Sequence, residues 1–199
     1  MKIILIGARG DIGQAAHAAL ADRHEIITAG RNSGDIRVDI EDAASIEAMY
    51  REAGTIDAVI STVGTVHFGP LTGFTQADMM VGLRNKVAGQ INLVLLGMDH
   101  VRDAGSFTLT SGVLDRDPVK QGIGAATANG ALTGFVTGAA IEMPRGQRIN
   151  VVSPGLLEVS EARYGAFFPG FERVSSDRVG RAFVKSVEGP NSGKVLIVD

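Results

Sequence analysis

Residues 2–13, KIILIGARGDIG, carry an apolar β-type run straight into three glycines spaced three apart, Gly7, Gly10 and Gly13. If a helix begins near Ile12, its first amides have no intrahelical partner, and its positive dipole end faces whatever lies above the turn. Such a turn is a ready cradle for an anion. Gly7 permits the tight turn, Gly10 lets a diphosphate approach the backbone, and Gly13 lets the helix lie close on the strand. In this strand-to-helix context the spacing points to a dinucleotide.

The rest of the chain repeats the same grammar. Short β-rich runs stand at 2–6, 25–29, 56–61, 106–111, 148–153 and 194–198, with helical segments at about 12–22, 42–53, 75–99, 122–142 and 176–188. Strands alternating with helices predict a parallel sheet covered on both faces, because right-handed crossovers lay each helix over the sheet. The expected fold is α/β, one doubly wound Rossmann-type domain spanning residues 1–199. Asp42 and Ser176 are expected N-caps, and Pro144 with Gly146 is expected to end the fifth helix. Segment 155–175, GLLEVSEARYGAFFPGFERVS, has no clean period and reads either as a lid over a pocket or as a packed surface loop.

Composition narrows the function classes. At 199 residues the chain is long enough for one substantial core. The formal charge is −3, and no basic stripe interleaves with aromatics, so nucleic acid is not an expected partner. No segment approaches the roughly 18 apolar residues that span a bilayer, and the start is too short for a signal-peptide core. A cytoplasmic protein without a membrane partner is expected. Cysteine is absent, which removes disulfide and thiolate chemistry. His17, His24, His67 and His100 lack metal-ligand spacing, so no metal is expected.

The second strand ends in AGRNSG, where an NAD site usually offers an acid. Arg31 stands there instead, and a guanidinium suits the 2′-phosphate of NADP. Arg9, inside the glycine turn, is placed to reach the same phosphate, with Asn32 and Ser33 as hydrogen-bond donors. Solvated surface arginines are the plainer alternative.

With these landmarks in order, the chain resembles the short-chain dehydrogenase/reductase family over nearly its whole length. GARGDIG, with Ile12 opening the helix, resembles the cofactor loop. VDI at 38–40 resembles the segment whose Asp39 meets adenine. STVG at 61–64, ending in Gly64, stands where the family usually has Asn-Asn-Ala-Gly, and TSG at 110–112 carries the serine of the catalytic type, Ser111. RINVVSPG at 148–155 resembles the strand and Pro154-Gly155 turn beside nicotinamide, and SGKVLIVD the last strand.

The resemblance also exposes two departures. The family's Tyr-xxx-Lys pair falls on a stretch rich in small residues, GIGAATANGALTGF, with Ala125 at the tyrosine position and Asn129 at the lysine position. On the preceding helix, setting Gly89 on the family's Asn-x-x-Gly pattern puts Lys86, rather than Asn85, at the auxiliary asparagine. That returns an ammonium to the site; a surface lysine with a one-residue slip is the alternative. Lysine can hold a ribose hydroxyl, and burial can lower its pKa toward proton transfer. Ser111 is then assigned to carbonyl polarisation, Lys86 to electrostatic or ribose contact, and Asn129 to hydrogen bonding. The proton donor is unidentified; Tyr164, on the segment 155–175, is a weaker candidate than Lys86.

The expected function is an NADP(H)-dependent oxidoreductase acting on a small carbonyl or alcohol through a non-standard site. The rival is an NADP-binding sensor or scaffold that has lost turnover. Family members commonly pair through the two helices that carry these departures, so a homo-oligomer, dimer or tetramer, is expected.

Overall fold

In the computed structural model, which describes all 199 residues, the apolar runs become seven parallel strands in the order β3-β2-β1-β4-β5-β6-β9. They are β1 (Lys2–Ile6), β2 (Glu25–Gly30), β3 (Ile36–Arg37), β4 (Ile56–Ser61), β5 (Val101–Thr110), β6 (Arg148–Pro154) and β9 (Val195–Val198). A separate two-stranded parallel ladder joins β7 (Leu156–Leu157) to β8 (Arg173–Val174). The helices are α1 (Asp11–Leu20), α2 (Ala43–Ala53), α3 (Gln76–Gly82), α4 (Gly89–Leu95), α5 (Ile123–Ala139), α6 (Glu161–Tyr164) and α7 (Ser176–Glu188). The order runs outward from β1 in both directions, so the expected doubly wound α/β architecture is present.

Strands buried on both faces need apolar side chains at odd and even positions alike. Ile3 and Leu5 of β1 pack on one side with Ala16, Leu20, Val179 and Phe183 from α1 and α7. Ile4 and Ile6 face the opposite layer, with Met49, Leu93, Leu132 and Val136 from α2, α4 and α5. Two helical layers therefore sandwich one sheet. The α1 and α7 axes come close because Gly180 has no side chain: a Cβ there would lie 2.8 Å from the Ala15 carbonyl oxygen.

Several elements differ from the expectation. The helix expected over 75–99 is three pieces, since Leu83–Ala88 forms π-type turns between α3 and α4 and the last piece stops at Leu95. The strand expected at 106 begins at Val101; its polar first half, VRDAG, hides a continuation that re-registers against β4 between Ile56 and Ala58. It ends at Thr110, leaving Ser111 just beyond. The two-residue β3 was not expected, although Ile36, Val38 and Ile40 are buried and alternate with polar neighbours. Helix α5 stops at Ala139, before the expected Pro144–Gly146, which forms its own tight turn. Asp42 caps α2 through the Ala44 amide, as expected; the cap of α7 is Ser175 rather than Ser176, its hydroxyl accepting from the Arg178 amide.

Helix α4 ends against a buried hydroxyl. The Gly97 and Met98 amides both turn to the Val94 carbonyl, which leaves the Leu93 carbonyl without a backbone donor. Tyr50 supplies one at 2.5 Å, and its burial raises the phenol pKa. Tyr50→Phe should remove that donor while keeping the ring, at a cost of about 1–3 kcal/mol. Scanning calorimetry should show a melting temperature lower by roughly 2–12 °C at this chain length, with nucleotide affinity unchanged.

Candidate active site

In a parallel sheet every strand delivers its following loop to the same edge, and ligands collect where the winding direction reverses. Here the reversal lies between β1 and β4. The loops holding Gly7, Arg31, Asp39, Gly64, Ser111 and Gly155 follow β1, β2, β3, β4, β5 and β6 in turn, with Pro154 ending β6, so the topology brings the sequence-selected residues to one edge. Gly7 has φ +89°, and a Cβ there would sit 2.5 Å from Val63 Cγ1. At Gly13 a Cβ would fall 2.1 Å from the Gly7 carbonyl oxygen, which is how α1 starts so close to the strand. Gly10 caps α1 without a side-chain acceptor, and a Cβ on it would meet nothing nearer than 3.6 Å. The open face and uncapped amides, from Ile12 among others, fit a diphosphate.

The residue beside that face is spoken for. Asp11 accepts hydrogen bonds from Ser160 Oγ and from the Arg163 guanidinium, both in the 155–175 segment. The Ser160 bond, with Arg163 adding to it against burial, holds the Asp11 carboxyl below the usual range. Neither Asp11 nor its two partners is marked by any sequence motif.

Behind Ser111 the π-type turns swing Lys86 inward. Its Nζ donates to Asn129 Oδ1 at 2.6 Å and to the Ser111 carbonyl at 3.1 Å, while Asn129 Nδ2 donates to the Gly112 carbonyl at 3.1 Å. The sequence-selected trio Ser111, Lys86 and Asn129 is thus brought together, with Lys86 turned inward. The lysine stem lies across Gly64, where a Cβ would be 2.4 Å from Lys86 Cγ. Burial pushes the ammonium pKa down to about 8, with the Asp115 carboxylate acting in the opposite sense. Asp115 is itself held by Thr133 Oγ1 at 3.1 Å. The Ser111 hydroxyl is buried and has no partner, an arrangement that native proteins rarely leave without a ligand or water. The β6 turn with Pro154 and Gly155 adjoins it, since the Ser111 amide donates to the Val152 carbonyl.

At the other end of the edge, Arg31 donates to Asp39 at 3.1 Å and to Glu41 at 3.4 Å. It lines a cleft of about 680 Å³ with Glu41, Thr65, Arg84 and Asn85. Arg9 and Ser33 share a neighbouring cleft of about 480 Å³, and Asn32 lies exposed between them in sequence. The two arginines therefore line different clefts. Asn85, which had no assigned role, receives the Thr65 amide on its Oδ1 and donates to Glu41, both at 2.6 Å.

Ala125 does lie near this site, buried with Val113 and Leu114 under Phe168 and Phe171 of the 155–175 segment. No ionisable group takes its place. Tyr164 is half exposed, with the Arg163 guanidinium over its ring. Phe183 is fully buried on the α7 side of the sheet. His67 is paired with Asp78 at 3.7 Å and packs edge-on against Phe74, a surface arrangement.

Comparison with known proteins agrees with this geometry. A family model described as enoyl-(acyl carrier protein) reductase matches residues 7–189. The protein lin1944 of Listeria innocua is 51% identical and superposes over the whole of both chains with a TM-score of 0.98. A small-chain dehydrogenase solved in complex with NADPH is 22% identical, with a TM-score of 0.86 over all of this chain and 96% of its own, a likeness of fold. Among curated relatives, hydroxynaphthalene reductase arp2 of Aspergillus fumigatus is 25% identical over 171 residues, covering 82% of this chain. Glucose and ribitol dehydrogenase homolog 2 of Arabidopsis thaliana is 23% identical over 111 residues, or 55% of this chain. The aligned portions span 63% and 38% of those two proteins' own lengths. With the family match running almost end to end, the chain belongs to the short-chain dehydrogenase/reductase family of oxidoreductases.

Proposed function

We propose that the protein is an NADP(H)-dependent oxidoreductase that interconverts a small carbonyl compound and its alcohol. The observation that carries this reading is the Ser111 hydroxyl, buried and unpartnered beside an inward-turned Lys86. Gly7, Gly10, Ile12 and Gly13 would hold the diphosphate, Asp39 and Gly64 the adenosine side, Pro154 and Gly155 the nicotinamide side. Arg31, with Asn32 beside it in the chain, would hold the 2′-phosphate, while Arg9 and Ser33 line a separate cleft. When bound, the nicotinamide supplies or accepts the hydride at the carbonyl carbon. Ser111 Oγ–H donates to the carbonyl oxygen, the Lys86 ammonium stabilises negative charge on that oxygen as it develops, and a proton from solvent completes the alcohol. Asn129 fixes the ammonium in place. A cytoplasmic location fits this chemistry, and no helix is long and apolar enough to cross a membrane.

NADPH oxidation against a panel of small carbonyls tests the reading. Ser111→Ala should lower kcat about 10²–10³-fold, the range for losing one donor to a developing oxyanion. The sign of the pH effect follows from Lys86, which is charged below about 8 and neutral above it. Reduction should slow by up to about tenfold per pH unit beyond that value, and Lys86→Met should be slow at all pH with the break near 8 gone. Tight NADPH binding with no turnover on any carbonyl would favour the sensor reading instead. The apolar covering of Ala125, where a general acid would otherwise stand, speaks for that rival.

We also propose a homodimer through α4 and α5. Gly130, Gly134 and Gly138 leave an exposed flat stripe on α5, and Gly134 and Gly138 have no neighbour within 4 Å of an added Cβ. Leu95 and Met98 flank it across a shallow groove, with Ile141 87% exposed beyond its end. Gly134→Arg should convert a dimer to a monomer in sedimentation equilibrium without destabilising the isolated subunit by more than about 1 kcal/mol, the helix-interior position being solvent-facing.

A further inference from the structure

The cleft lined by Arg31, Arg84 and Glu41 holds a carboxylate at the point where a phosphate is expected to bind. Asp39 and Glu41 both accept from the Arg31 guanidinium. Glu41 is not free to drift away, because Asn85 Nδ2 donates to its Oε1 at 2.6 Å while Asn85 Oδ1 is fixed by the Thr65 amide. Asp39 accepts from the Glu41 amide at 3.0 Å as well as from Arg31, which gives it a structural duty in the turn. Glu41 has no such duty toward the backbone through its side chain. It is a carboxylate held at the edge of the cleft by Asn85, which also accepts from the Thr65 amide.

Resting on the NADP reading above, we propose that Glu41 is a specificity-determining residue of the cofactor pocket. Its carboxylate competes with the nucleotide's 2′-phosphate for Arg31, so the preference for the phosphorylated nucleotide is set by the Arg31–Glu41 contact and not by Arg31 alone. To bind NADPH, the guanidinium must exchange Glu41 for the phosphate. NADH, with a 2′-hydroxyl, requires no such exchange. The present arrangement therefore narrows the gap between the two nucleotides, and Asn85 maintains it by keeping Glu41 in reach.

The test is a fluorescence titration of the full chain with NADPH and with NADH, for the parent, Glu41→Gln, Arg31→Ala and the double variant. Glu41→Gln keeps the shape and the Asn85 contact through its amide oxygen while removing the charge. It should raise the ratio of NADPH to NADH affinity roughly three- to tenfold, the scale of one partly screened charge contact, mostly through NADPH. In the Arg31→Ala background the same substitution should change the ratio by less than about twofold. An unchanged ratio, an equal shift for both nucleotides, or a full shift that persists without Arg31 would each overturn the proposal while leaving NADP binding intact. A parent chain that binds neither nucleotide would overturn the NADP reading and this inference together. Circular dichroism of each variant identifies any that fails to fold, and Glu41→Ala then repeats the comparison with the charge and both contacts removed.

Discussion

An ammonium drawn inside a protein must be given acceptors or lose its proton, because burial penalises the charged form. Lys86 meets that demand with the Ser111 carbonyl and the Asn129 side chain, and much of the site follows from it. Position 64 has to be glycine, since any side chain there would occupy the lysine stem. Position 129 has to offer an oxygen to the ammonium and an N–H to the Gly112 carbonyl, which an amide does and a second lysine does not. The residual burial cost remains visible as a pKa of about 8. Two cations at 86 and 129 would repel each other across 2.6 Å; one cation and one amide form a closed set of hydrogen bonds.

With Lys86 bringing a positive charge in from the π-type turns between α3 and α4, position 129 on α5 carries an amide that accepts from it. Ala125 is then covered by Val113, Leu114, Phe168 and Phe171. Helix α5 keeps its inner face for the Asn129 contact and the sheet, while its outer face is reduced to glycine at every fourth position. The stretch without an ionisable group thus contributes one polar contact, through Asn129, and an exposed glycine stripe.

The fold and the convergence of the strand ends were legible because they depend on features that sequence displays directly: apolar runs of strand length, and glycines at a strand-to-helix turn. The Lys86 placement was legible only through the Gly89 landmark. Gly89 packs on Ile40, with an added Cβ 2.6 Å from Ile40 Cδ1, so the spacing from it carries real geometric information. What could not be read depends on irregular backbone. Nothing in LRNKVA announces π-type hydrogen bonding, and the polar VRDAG conceals the first half of β5. The Asp11 contacts with Ser160 and Arg163 join residues about 150 positions apart, through a segment with no period to place it.

The π-type turns also connect the two ends of the site. Asn85 and Lys86 are consecutive, yet one reaches Thr65 and Glu41 while the other reaches Ser111 and Asn129. Between them runs the loop that begins at Gly64, gripped at the Thr65 amide by one side chain and stacked over the stem of the other. A regular α-helical turn would present successive side chains about 100° apart around one axis. Inserting a residue in a π-type turn changes that phasing, which is one reason such turns occur at functional sites. A shift of Asn85 that accompanies the exchange of Glu41 for another anion at Arg31 would be felt at once by the residue beside it. Glu41 beside Arg31 and Lys86 beside Ser111 are thus both engaged from one short segment of backbone.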